Sequence, residues 1–165
     1  MSQRVLTQTF CVVGAIIEKD GKIALVQEGS HTKGDSGKWS HPAGWLDVGE
    51  NLVVGVKREV EEETGFTFTP TAILGVYSLV RQDLTDPVRG TPHAIKIIFI
   101  GEADFSNQQK QFDDVSDLKW FTPEEIYAMD AKTLRDVDIK QMVKDYFNGQ
   151  KFPLDIIQHT VQTEG

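Results

Sequence analysis

Three carboxylates, Glu59, Glu62 and Glu63, stand at i, i+3 and i+4 inside the stretch from Gly44 to Phe66, GWLDVGENLVVGVKREVEEETGF. If Asn51 caps a helix that stops at Gly65, each residue turns by about 100° and the three side chains crowd onto one face. Like charges at that spacing repel, each pair costing roughly a few tenths of a kcal/mol on a bare helix. The pattern therefore points to a cation that offsets the repulsion. Oxygen-only ligands of high charge suit a hard divalent ion such as Mg²⁺, with Mn²⁺ an acceptable substitute, which keeps several waters and shares its shell with substrate phosphates. Leu52, Val56 and Val60, spaced by four, form an apolar stripe about a quarter-turn away, so one edge of the helix can be buried while another presents the carboxylates. Arg58 is placed to clamp and orient them through a bidentate ion pair.

The bland alternative is a solvated acidic face, and the run Glu61, Glu62, Glu63 taken alone favours it. The fixed order of Gly44, Glu50, Arg58, Glu59, Glu62, Glu63 and Gly65 does not. From average residue frequencies it should arise by chance in about one chain of this size in ten million, which reverses the preference.

These residues match every fixed position of the Nudix box, G-x5-E-x7-R-E-U-x-E-E-x-G-U, with Val60 and Phe66 at the bulky positions U. The chain resembles the Nudix hydrolases. The resemblance implies an α/β (α+β) fold, an α/β/α sandwich around a mixed sheet, with the box helix on one face and the C-terminal helix on the other. It implies that Glu62 and Glu63 ligate Mg²⁺ or Mn²⁺, that Glu59 is a ligand or the base that activates water, and that Glu50 and Arg58 support them, Glu50 being counted with the metal-binding set. The carbonyl of Ala43 or Gly44 would add a ligand; many members have Gly-Gly where this chain has Ala43-Gly44. The tail after the last helix, GQKFPLDIIQ, bears a further resemblance to a smaller subgroup, bacterial phosphatases of the NudJ type. That subgroup's implied activity is removal of phosphate from nucleoside tri- and diphosphates and from a pyrimidine pyrophosphate.

Length and charge set outer limits. A chain of 165 residues suits one domain able to bury most of its apolar surface in a single core. Its formal charge of −8 argues against a nucleic-acid polymer as partner, since such proteins usually show a basic stripe. It leaves room for a small phosphate ester, because a bound cation can invert the local field. Cys11 is the only cysteine, which excludes an internal disulfide and a thiolate metal cluster and suits a small apolar core residue. With neither a secretory h-region nor an 18-residue apolar run, the expectation is a soluble cytoplasmic protein without membrane partners, its oligomeric state open and a homodimer included.

The elements that must position the carboxylates follow along the chain. Thr9 to Glu18 and Gly21 to Glu28 read as strands joined across Asp20-Gly21, a hairpin signal. Residues 29 to 38 have turn composition and read as an exposed loop. Pro42 makes His41 extended; a structural hydrogen bond is the ordinary role for such a histidine, a substrate contact the sharper one. Trp39 reads as a core or lip aromatic rather than a base-stacking platform. Phe68 to Val80 reads as one or two strands, residues 82 to 92 as a polar loop of the kind that carries specificity, and His93 to Ala103 as a buried strand. In the Nudix fold the matching strand borders the substrate cleft, so Arg81, Arg89 and Lys96 are candidate phosphate contacts, each with an ordinary surface cation as its bland alternative. Asp113 and Asp114 sit in the acidic loop from which some members draw a further ligand or base; a solvated pair is the alternative. Leu118 to Phe121 reads as a short strand, Thr122-Pro123-Glu124-Glu125 as a capping box opening a helix, and Asp136 to Phe147 as the last helix, stopped by Gly149.

The chemistry these residues would support is hydrolysis of a phosphoanhydride. Its oxygens repel a nucleophile, so a catalyst must neutralise charge and supply hydroxide, and metal ions do both. The expected substrates are nucleoside di- or triphosphates or related organic pyrophosphates. Two other readings compete: cleavage of ADP-ribose or a sugar nucleotide inside its pyrophosphate, and a non-catalytic nucleotide-binding sensor. Product identification separates the first; the intact box argues against the second.

Overall fold

The computed structural model describes residues 8–30, 32, 34–107 and 114–163. The expected hairpin is present: β1 (Phe10–Ile16) leads into β2 (Glu18–Lys19), which pairs antiparallel with β3 (Lys22–Glu28) across Asp20 and Gly21. Both turn residues have positive φ, 51° and 76°, the geometry of a type I′ turn. After β4 (Trp39–Ser40) and β5 (Ala43–Trp45) comes the box helix, α1 (Leu52–Thr64). Its ends are as the sequence predicts: the Asn51 side chain accepts from the Val53 N–H, and Gly65 takes the left-handed conformation at φ 73°.

One long strand, β6 (Thr67–Val80), then pairs antiparallel with β7 (His93–Asp104). β8 (Val115–Phe121) starts three residues earlier than its apolar run suggests, because Val115 to Asp117 pair with the end of β3. The capping box at Thr122 and Glu125 forms in full and opens α2 (Pro123–Ala128). The chain closes with α3 (Ile139–Phe147) and β9 (Phe152–Pro153), which adds to the edge of β6.

The main sheet has the order β5-β1-β7-β6-β9, with β1 and β7 parallel and the other pairs antiparallel. Alternation along β1 distributes its side chains between two cores. Val13 and Ala15 join Val56 and Val60 of α1 together with Phe66 and Phe99. Ile16 joins Ile139, Met142 and Val143 of α3 with Leu74 and Ile98. Helices therefore cover both faces of a mixed sheet, the α/β/α arrangement expected. β3 carries β2, β4 and β8 in a second, smaller sheet. Among the described residues no helix is long and apolar enough to cross a membrane.

Two expectations need correction. The last helix begins at Ile139, not Asp136, because the carboxylates of Asp136 and Asp138 are drawn to the buried Lys96 ammonium at 2.6 and 3.1 Å. The stretch 29–38 is not uniformly exposed: Asp35 is buried, held by Lys38 and by both Nη atoms of Arg81.

Candidate active site

The acidic face of α1 lies beside β5, at the edge of the main sheet. Arg58 ties the two together. Its Nε and Nη2 donate to the two oxygens of Glu50 at 2.8 Å each, Nη2 also reaches the Trp45 carbonyl at 3.2 Å, and Nη1 donates to Glu59 at 2.6 Å and Glu62 at 3.4 Å. The bidentate clamp predicted for Arg58 is therefore made with Glu50, and Glu59 is held from the other end of the same guanidinium.

Glu59 is buried against Gly44. A Cβ built on Gly44 would lie 2.0 Å from one Glu59 carboxylate oxygen and 2.4 Å from the other, so a residue without a side chain is required there. Burial pushes the Glu59 carboxyl above the ordinary range against the pull of Arg58. Glu63 accepts the Ala43 N–H at 2.9 Å. Burial raises its carboxyl well above the ordinary value, and the charges of Glu28 and Glu59 add to that rise while the Ala43 N–H and Arg135 oppose it. Glu62 is the exposed member of the three.

All three carboxylates line one cleft of about 470 Å³, within the size of small-molecule sites. It extends from α1 over the face of the sheet that α3 covers, where register sets Val12 beside Lys96. The opposite wall is a chain of ion pairs. Arg81 binds Asp35, Asp83 and Asp136; Lys96 binds Asp136 and Asp138; Arg135 binds Glu28 at 2.7 Å and approaches Asp35 at 3.4 Å.

Most of the residues singled out from the sequence meet here: Gly44, Arg58, Glu59, Glu62, Glu63, Arg81, Lys96 and Asp114 all line the cleft. Two do not. Glu50 has both oxygens engaged by Arg58 and one by the Asp47 N–H, and it lies outside the cleft lining, so it braces Arg58 rather than facing a metal. Arg89 is exposed, its backbone N–H donating to the Asp86 carboxylate that caps the turn and its guanidinium paired with the same group, and it is not among the cleft-lining residues. Asp113 lies outside the described residues. The sequence reading missed Glu28, Asp35, Arg135 and Asp136, all in the cleft lining. Their one local signal is charge set directly against apolar residues, as in Leu25-Val26-Gln27-Glu28 and Leu134-Arg135-Asp136.

The ion-pair wall makes stability depend on pH. Burial alone would raise the Asp136 carboxyl, but the charges of Lys96, Arg135 and Arg81 overcome it and hold it at about 2 against an ordinary 3.8. A carboxyl depressed on folding stabilises the protein above its unfolded value, and that contribution is lost as pH falls through the folded one. Asp136→Asn should therefore cost on the order of 2 kcal/mol at neutral pH, and the gap to wild type should narrow as pH drops from about 4 toward 2. Denaturant titrations at a series of pH values check this; a gap independent of pH would refute the assignment.

A model of the NUDIX domain family matches residues 7–145. The chain belongs to the Nudix hydrolases. A NUDIX hydrolase from Nitrosomonas europaea is 33% identical, covering 93% of this chain and 98% of its own, and superposes with a TM-score of 0.77. The MutT protein of Methanosarcina mazei Go1 is 25% identical over 86% of this chain and 94% of its own, with a TM-score of 0.69. Among curated relatives, the phosphatase NudJ of Escherichia coli is 28% identical over 146 residues, 88% of each chain. This Nudix hydrolase thus matches relatives over nearly their whole length, well beyond the box itself.

Proposed function

We propose that this Nudix hydrolase cleaves a phosphoanhydride bond in nucleoside di- or triphosphates or related organic pyrophosphates, with Mg²⁺ or Mn²⁺ held by Glu59, Glu62, Glu63 and the Gly44 carbonyl. The observation that carries the reading is the convergence of three carboxylates from one helix on a single small-molecule-sized cleft. The donor set fits a hard cation: every candidate ligand is an oxygen, and the charges of neighbouring carboxylates, Glu62 and Glu50 on Glu59 and Glu28 and Glu59 on Glu63, are ones a cation would relieve. The backbone at Gly44 leaves the Glu59 carboxylate space that any side chain would fill. No three acidic or histidine side chains among the described residues already stand at ligand spacing, since Arg58 holds Glu59 and the Ala43 N–H holds Glu63.

When bound, such an ion supplies neutralisation of phosphate charge and a more acidic water. The remaining work belongs to the chain. Arg58, itself fixed by Glu50 and the Trp45 carbonyl, keeps the Glu59 carboxylate turned to Gly44. A Glu59 oxygen takes the proton of the attacking water, a role suited to a carboxyl whose affinity for protons is raised by burial. Asp114, which also lines the cleft, is the alternative proton acceptor in this reading. The phosphatase name of the relative from Escherichia coli favours release of terminal phosphate over cleavage within a dinucleotide.

A Mg²⁺-dependent screen over nucleoside triphosphates, diphosphates, sugar nucleotides, dinucleotides and pyrimidine pyrophosphates, scored for phosphate against pyrophosphate, tests this. Phosphate release from tri- or diphosphates is expected. Turnover confined to sugar nucleotides would overturn the substrate class, and binding without turnover of any compound would overturn the enzymatic reading.

A further inference from the structure

Among the described residues four Lys or Arg side chains line the cleft, and three are already spoken for. Arg58 places all five N–H donors on Glu50, Glu59, Glu62 and the Trp45 carbonyl. Arg81 places all of its donors on Asp35, Asp83 and Asp136. Lys96 is 2% exposed and donates to Asp136 and Asp138. A cation whose donors end on carboxylates has little left for a phosphate, so the phosphate-contact role that sequence position suggests for Arg81 and Lys96 is not the one their surroundings support.

Arg135 differs. Its Nη1 donates to Glu28 at 2.7 Å, and its Nε lies 3.4 Å from Asp35 without forming a hydrogen bond. Its Nη2 makes no hydrogen bond among the described residues, and about a third of the side chain is exposed, 31%. It stands near Glu63, whose carboxyl feels its charge, on the wall facing the box helix. A second observation points to a ligand at the same place. His41 lines the cleft only 2% exposed, yet among the described residues neither ring nitrogen has a hydrogen-bond partner. The ordinary structural hydrogen bond expected for this histidine is not made, and an unmet buried polar group costs roughly 1–3 kcal/mol. The ring also occupies built space: a Cβ on Gly14 would come within 2.8 Å of Nε2.

We propose that Arg135 grips the phosphate end of the substrate, its free Nη2 donating to phosphoryl oxygens across the cleft from Glu63, with His41 contributing one ring N–H from the floor. Glu28 holds the other edge of the guanidinium and so presents it. This deepens the phosphoanhydride reading and rests on it. Arginine suits the role because, with Nη1 held by Glu28, its always-charged guanidinium still carries the two N–H donors of Nη2.

The probe is methylenediphosphonate, a pyrophosphate mimic that water cannot cleave, titrated calorimetrically into the full chain with Mg²⁺, with melting curves to normalise to folded protein. Arg135→Gln should weaken binding at least about tenfold, a lost charged hydrogen bond, and Arg135→Lys should recover part of that. Glu28→Gln should lose less than Arg135→Gln, because the cation remains although its anchor is weakened. Wild-type affinity in Arg135→Gln overturns the proposal. So does an equal loss in Glu28→Gln, which would make Arg135 only a prop for Glu28, and so does absence of binding by the wild type. If the substrate screen fails while the diphosphonate binds through Arg135, the functional reading falls and the site stands; if the screen succeeds and Arg135→Gln binds normally, the site falls alone.

Discussion

Glu62→Gln and Glu63→Gln should each lower turnover by on the order of 100-fold or more while leaving the melting temperature unchanged or slightly higher. The two halves of that result come from one cause. A cluster of like charges on one helix face is unfavourable for folding and useful only when something cationic is bound. Glu63 shows this in strong form: its carboxyl is held well above the ordinary 4.5 by burial, so ionising it costs stability. The sign follows from linkage. A carboxyl raised on folding stabilises the protein fully below its unfolded value, and that contribution is lost as pH rises through the folded value. At neutral pH in chelator, Glu63→Gln should therefore melt no lower than wild type, and any advantage should vanish below about pH 4.5. The glutamine oxygen can still accept the Ala43 N–H, so the local backbone keeps its partner. Glu62 is exposed and touches Arg58 only at 3.4 Å, so its removal disturbs little besides charge. Wild-type turnover in either variant at saturating Mg²⁺ would remove that residue from the proposed metal site.

What could be read from the sequence is what local physics dictates. The box helix was legible because its signals are short-range: an Asn51 cap, an apolar stripe at Val56 and Val60, a left-handed Gly65. The Asp20-Gly21 hairpin and the Thr122–Glu125 capping box were legible for the same reason. The far wall was not. Asp35, Arg81, Lys96, Arg135 and Asp136 come from four separate stretches and acquire meaning only as partners. Arg81 and Lys96 could be named as cations beside a cleft, but apart from Asp83 the carboxylates that occupy them lie 40 or more positions away. The same long-range pairing is why the start of the last helix was misplaced: residue by residue, 136–138 read as helical, and the pull of a buried lysine decides otherwise. His41 shows the converse. Its burial is explicable from the Pro42 that follows and the Gly14 beneath it, while its want of a partner among the described residues is visible only in three dimensions.

Gly44→Ala offers the sharpest separation of catalysis from folding. The added methyl would sit 2.0 Å from a Glu59 oxygen and 2.2 Å from the carboxyl carbon, closer than atoms can approach, so something must move. The backbone at Gly44 has no positive φ, hence alanine is not strained there in itself. What stands in the way is the far end of a flexible side chain, which can swing aside at small cost. The Glu59 carboxylate should therefore leave both Gly44 and its 2.6 Å contact with Arg58, while the sheet pairing of Gly44 with Val13 persists. A shift of about 1 Å in a reacting group can cost on the order of 100-fold in rate. Turnover should fall by about that factor with a change in melting temperature of no more than about 4 °C, the shift expected for roughly 1 kcal/mol in a domain of this size. Since Arg58 would keep its two bonds to Glu50, the clamp itself survives. Full activity in Gly44→Ala would mean that the Glu59 carboxylate works from some other position, and it would remove Glu59 from the proton-accepting role proposed for it.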